Sequence, residues 1–147
     1  MSCIRFSTPA QMKQLRKVAP SRLTREQAAS LHPAPAVTES KIRRLRLLAQ
    51  ALNPKIRESV ASSYHAPADV VVALARDADE GVRACLARNE HTPVDLLRLL
   101  CTDRSETVRG WVAVNPRTPA DALVLLELDS SDILRGLIAW RTRAALT

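Results

Sequence analysis

Aromatic residues are almost absent from the chain: one Phe, one Tyr and two Trp in 147 residues. That scarcity removes the stacking platforms on which single strands and flipped bases are held, so strong sequence choice on single strands is not expected. Three glycines leave little material for hairpin turns, and none builds a phosphate-cradling loop. The three cysteines, Cys3, Cys85 and Cys101, are an odd number with no C-x-x-C spacing. Neither a disulfide framework nor a four-ligand metal site can be made from them alone. No apolar run approaches the roughly 18 residues that a membrane span requires, and Met1-Ser2-Cys3-Ile4-Arg5-Phe6 has no apolar stretch for a signal peptide. A nucleophile elbow and a His-Glu-x-x-His pair are also missing. The expectation is a cytoplasmic, non-catalytic protein with no cofactor, no small-molecule substrate and no membrane contact.

What the chain does have is a period. Pro67, Pro93 and Pro119 lie 26 residues apart, each followed by an aspartate (Asp69, Asp95, Asp121) and then by a leucine (Leu74, Leu100, Leu126). The register runs on through Asp77, Asp103 and Asp129, through Val82-Arg83, Val108-Arg109 and Leu134-Arg135, and through Ala87, Ala113 and Ala139. Ile56-Arg57 and Val60-Ala61 form an earlier half-unit. Self-similarity at this spacing marks a stack of units, each burying its apolar face against its neighbours.

Each unit divides into two short helices. In the unit from Thr92, the threonine is placed to cap a helix with Pro93 at its first position and Asp95 near the positive end of the macrodipole. Leu96, Leu97 and Leu100 give the apolar stripe of a helix from about Pro93 to Cys101. Ser105 caps a second helix carrying Val108 and Val112, which Asn115-Pro116 ends. Short connections make neighbouring helices antiparallel.

The N-terminal part reads differently. Residues 1 to 50 carry ten Lys/Arg against Glu26 and Glu39, whereas the remainder is nearly balanced. Thr38 to Leu52 is expected to be one amphipathic helix, with Ile42, Leu45 and Leu48-Ala49 inward. Ser7-Thr8-Pro9 and Thr24-Arg25-Glu26-Gln27 are helix starts, and His32-Pro33-Ala34-Pro35-Ala36 is a linker. The division expected is therefore a basic helical cap or arm over 1–37 and an array of about four repeats over 38–147.

The pattern Thr-Pro-x-Asp-x-Leu, Leu, Asp, Val-Arg, Val-Ala-x-Asn between Thr92 and Asn115 resembles the leucine-rich repeat variant, a bacterial repeat similar in shape to HEAT repeats. The resemblance extends over about residues 42 to 143. It implies an all-α fold, a right-handed α-solenoid of stacked two-helix units whose short second helix is partly 3₁₀. Some such proteins carry a four-cysteine iron-sulfur segment ahead of the array. Here Cys3 is the lone cysteine before the repeats, so no cluster is carried over.

Asp77 and Arg83, Asp103 and Arg109, and Asp129 and Arg135 are each six residues apart. This resembles the HEAT ladder, in which a carboxylate takes loop amides and an arginine of its own or the next repeat, fixing the stacking angle. The alternative is an arginine stripe that reads phosphates. Ala51 stands where the acid before Arg57 would be, which makes Arg57 the freest of the four arginines.

A helical wheel of the second helix, with Val82 and Leu86 inward, puts Glu58/Ser62, Ala84/Arg88, Gly110/Val114 and Gly136/Trp140 outward. This stripe turns from polar to apolar along the array, with Trp111 on its flank and Leu137 as its counterpart in the last unit. Mid-helix glycines imply close approach of something to the backbone. One function class is therefore a protein partner or self-association through Gly110, Trp111, Val114, Gly136 and Trp140; the bland alternative folds Trp140 over the last repeat and puts Trp111 in the core. The other class is nucleic-acid binding, with Lys41, Arg43, Arg44, Arg46 and Arg57 on phosphates. His65 and His91 occupy equal repeat positions about 10 Å apart, too far for one metal ion, and are expected in exposed loops.

Overall fold

The chain divides into two compact units, Met1–Ala36 and Val37–Thr147. A computed structural model describes residues 37–144. The helix starts at Ser7 and Thr24, the linker from His32 and the site of Cys3 lie outside the described residues.

Among the described residues the fold is all-helical, with eight helices and no strand. They are α1 (Glu39–Leu48), α2 (Pro54–Ala61), α3 (Ala68–Leu74), α4 (Glu80–Arg88), α5 (Val94–Leu100), α6 (Glu106–Val114), α7 (Ala120–Glu127) and α8 (Asp132–Ala144). They form four consecutive pairs. Packing is sequential: α2 lies against α4, α4 against α6 and α6 against α8, and each odd-numbered helix packs on the even-numbered helix that follows it. The second helix of each pair is α-helical, without the 3₁₀ character that the family resemblance implied.

The two helix types start by different devices. The second helices are capped by side chains of Asn53, Asp79 and Ser105, which accept from the amides of Lys55, Val82 and Val108, and the Ser131 hydroxyl accepts from Leu134 N–H in the same way. Each such bond satisfies one of the orphan donors of a helix N-terminus. The first helices of the last three pairs start instead from Pro67, Pro93 and Pro119, whose side chains make no cap bond. Thr92 is thus not the N-cap that its position suggested. It is buried, and its hydroxyl donates to Leu86 O at 2.7 Å; Thr118 donates likewise to Val112 O. These threonines tie the end of one pair to the start of the next.

The core is built from columns of the 26-residue register. Val82, Val108 and Leu134 are fully buried, as are Leu74, Leu100 and Leu126, and Val60, Leu86, Val112 and Ile138 run beside them. At the start of the array the expected Thr38–Leu52 helix is shorter. It has Thr38 as cap and ends at Leu48, because Asn53-Pro54 opens α2 and leaves Leu52 99% exposed.

Candidate functional site: an apolar groove and its uncovered continuation

The arginine register resolves into a ladder between neighbouring pairs. Arg57 donates through Nε and Nη2 to Asp77 at 2.7 and 2.8 Å, Arg83 to Asp103 at 2.7 and 3.0 Å, and Arg109 to Asp129 at 2.7 and 3.2 Å. Each arginine therefore takes the carboxylate twenty residues ahead, in the next unit. The aspartate six residues behind contributes only its backbone carbonyl: Arg83 Nη1 donates to Asp77 O at 2.7 Å and Arg109 Nη1 to Asp103 O at 2.8 Å. The same carboxylates accept from the loop amides of Asp79, Ser105 and Ser131. Two parallel charge-assisted bonds in a fork set both distance and angle, which an ammonium could not do.

The carboxyls respond accordingly. Hydrogen bonds from Arg57 hold Asp77 below its ordinary value, and those from Arg109 do the same for Asp129. At Asp103 burial pushes upward, but the hydrogen bonds from Arg83 and from the Ser105 amide outweigh it and the net direction is down.

This corrects the reading of Arg57. It is not the freest guanidinium, because its partner lies ahead of it rather than behind, and Ala51 needs to supply only the carbonyl that it does supply, at 2.8 Å. The exposed member is Arg135, which has no following unit in the described residues and turns back to Asp132 and to Asp129 O.

A second ladder escaped the sequence reading. Asn89 Nδ2 donates to Ala61 O and Ser63 O, and Asn115 Nδ2 to Ala87 O and Asn89 O. In the last unit Arg141 occupies the same register and donates to Ala113 O and Asn115 O at 2.8 and 2.7 Å. The asparagines were visible as part of the repeat pattern. Their role was not, because the acceptors are backbone carbonyls of the preceding unit.

Of the five residues singled out for a protein partner, three line one groove. Gly110, Trp111 and Val114 line an open groove of about 580 Å³ between α6 and α8, completed by Glu106, Thr107, Ile133, Leu134 and Leu137. Trp111 is 36% exposed rather than core, and the Arg88 guanidinium lies over its ring at 5.4 Å. Gly136 and Trp140 fall outside this lining; Trp140 is 59% exposed, so it does not fold over the last unit.

The wheel also misplaced Ala84, which is buried. Ala84 and Gly110 lie where the next second helix packs, whereas Gly136, in the same column, is exposed. A Cβ on Gly110 would meet Leu134 and Leu137 of α8 at 3.7 Å, ordinary contact, whereas one on Gly136 would meet nothing within 4 Å. Covered positions in one unit are thus open in the last.

The five basic residues separate as well. Arg46 pairs with Asp69 at 2.9 Å and Arg57 with Asp77, which leaves Lys41, Arg43 and Arg44 exposed on α1 with no ion pair to a described residue. His65 and His91 are exposed, the latter with its ring 4.5 Å from that of Tyr64. Cys101 is buried, where desolvation pushes its thiol upward, and Cys85 is half-buried. Among the described residues no cluster of His, Cys, Asp or Glu could hold a metal ion, and no helix is long and apolar enough to cross a membrane. Comparison with protein-family models, with curated proteins and with solved structures finds no match.

Proposed function

We propose that this chain is a non-catalytic scaffold of the cytoplasm, a right-handed α-solenoid of the leucine-rich repeat variant type, which binds an apolar segment of a partner protein. The repeat type and its hand rest on the residue pattern between Thr92 and Asn115. One observation carries the binding reading: a groove of about 580 Å³ whose walls are Trp111, Val114, Ile133 and Leu137, with a single carboxylate, Glu106, among its lining residues. Exposed apolar concavities of this kind are where aromatic anchors concentrate binding energy. The ladder arginines are engaged with aspartates and amide carbonyls, which argues against a phosphate-reading stripe, since a paired guanidinium would have to give up its partner first.

The test is a photo-crosslinking residue at Thr107, on the groove wall, used in extract of the native cell with Trp111 intact and as Trp111→Ala. A discrete crosslinked partner that disappears with Trp111→Ala, helicity by circular dichroism being unchanged, is the expected result. Crosslinking of equal yield in both proteins would overturn the reading.

A further inference from the structure

The last pair leaves open a face that every earlier pair has covered. Ala87 and Ala113 are fully buried, but Ala139, in the same column, is exposed. Arg83 is buried, Arg109 half-buried and Arg135 exposed. Glu106, Thr107, Gly110, Trp111 and Val114 form one wall of the groove described above, and their register equivalents on α8 are Asp132, Ile133, Gly136, Leu137 and Trp140. So α8 carries one wall of a second groove, with Ile133 67% exposed, and no described residue supplies the other wall.

We propose that the second wall is a second copy of this chain, its α8 laid antiparallel on the first across a two-fold axis. The argument is charge complementarity along the outward line of the helix. At about 100° per residue, Asp132, Gly136, Ala139 and Arg143 fall on one line, and all four are exposed. The order acid, small, small, base is its own complement when reversed. Asp132 then faces Arg143 of the second copy, Gly136 faces its Ala139, and the symmetry makes each contact twice. The two helix dipoles also run opposed. The small residues let the backbones approach closely, and Ile133 and Trp140 flank the seam as the apolar area that is lost to water.

Head-to-tail stacking fits less well. A copy docked by its own first pair would offer Ala51 where Arg135 needs an aspartate, and Ser63 where the asparagine ladder needs its next member. The reversed copy makes no such demand: Arg135 has Asp132 Oδ1 on its own helix, and the other carboxylate oxygen of Asp132 is the one that takes Arg143 of the second copy.

The seam shares Ile133 with the groove but runs along a line of α8 that the groove lining does not include, and it is tested separately from the groove. Sedimentation of the full chain over micromolar to hundred-micromolar concentrations at low salt should show a monomer-dimer equilibrium that weakens with added salt. Gly136→Leu, which has open space around it in the single chain, should abolish the dimer with helicity unchanged. Asp132→Arg and Arg143→Asp should each weaken it at least tenfold, and the double exchange should recover it. Trp111→Ala should leave the dimer intact. A wild-type chain that stays monomeric throughout, as it would if another protein or another part of the chain covered α8, overturns the proposal. So does a dimer that survives Gly136→Leu.

Discussion

Removing one carboxylate from the middle of the ladder should do far more damage than removing one from an exposed ion pair. In Asp103→Ala the Arg83 guanidinium, whose side chain is 6% exposed, loses both bonds of its fork and keeps only the carbonyls of Asp77 and Ala78. The Ser105 amide loses its acceptor at 2.8 Å at the same time. Breaking a buried pair by deleting one partner costs about 3 to 5 kcal/mol, because the remaining charge stays buried without compensation. Against a total stability of roughly 5 to 15 kcal/mol for a domain of this kind, that is a large share. Urea unfolding followed by circular dichroism measures it as a lower midpoint. Asp121→Ala is the control, since its pair with Arg98 lies at 2.8 Å but about half-exposed, where ion pairs contribute little. Replacing both ladder partners, as Arg83→Met with Asp103→Leu, should recover most of the loss, because no buried charge then remains. If Asp103→Ala and Asp121→Ala shift the midpoint equally, the ladder does not hold the units together and the account given above is wrong.

Two further outcomes follow from the same contacts. Asp77, Asp103 and Asp129 all have lowered pKa values in the folded chain, so their contribution is fully present above the unfolded value near 3.9 and is lost as pH falls through the folded values; thermal midpoints should fall below about pH 4, and Asp103→Ala should flatten that fall. Gly110→Ala adds a Cβ at ordinary contact distance from Leu134 and Leu137 and removes the helix cost of glycine, so it should stabilise by about 1 kcal/mol. A drop in its thermal midpoint would mean that α8 sits closer to that column than 3.7 Å.

The helices themselves were legible in the residues. Asn115-Pro116 ends α6 and Ser105 caps it because those effects act within a few residues along the chain. Apolar spacing in the 26-residue register likewise located Val108, Val112 and Leu100 in the core. The inferences that failed were ones that needed to know which unit lies against which atom. Thr92 was legible as polar before a proline, and either capping or donating backward satisfies it; only the nearness of Leu86 O decides.

The same division governs the candidate site. The sequence by itself determined that arginines and aspartates recur together and that small and aromatic residues gather toward the last two units, since period and composition are properties of the chain. Tertiary structure decided that Arg57, Arg83 and Arg109 reach the carboxylate twenty residues ahead rather than six behind, and that Gly110 is covered while Gly136 is open. The reason is that a wheel orients a side chain only about its own helix axis. Whether that direction meets a neighbour or solvent depends on where the next helix packs, and the last unit repeats the pattern of the others with no described helix beyond it.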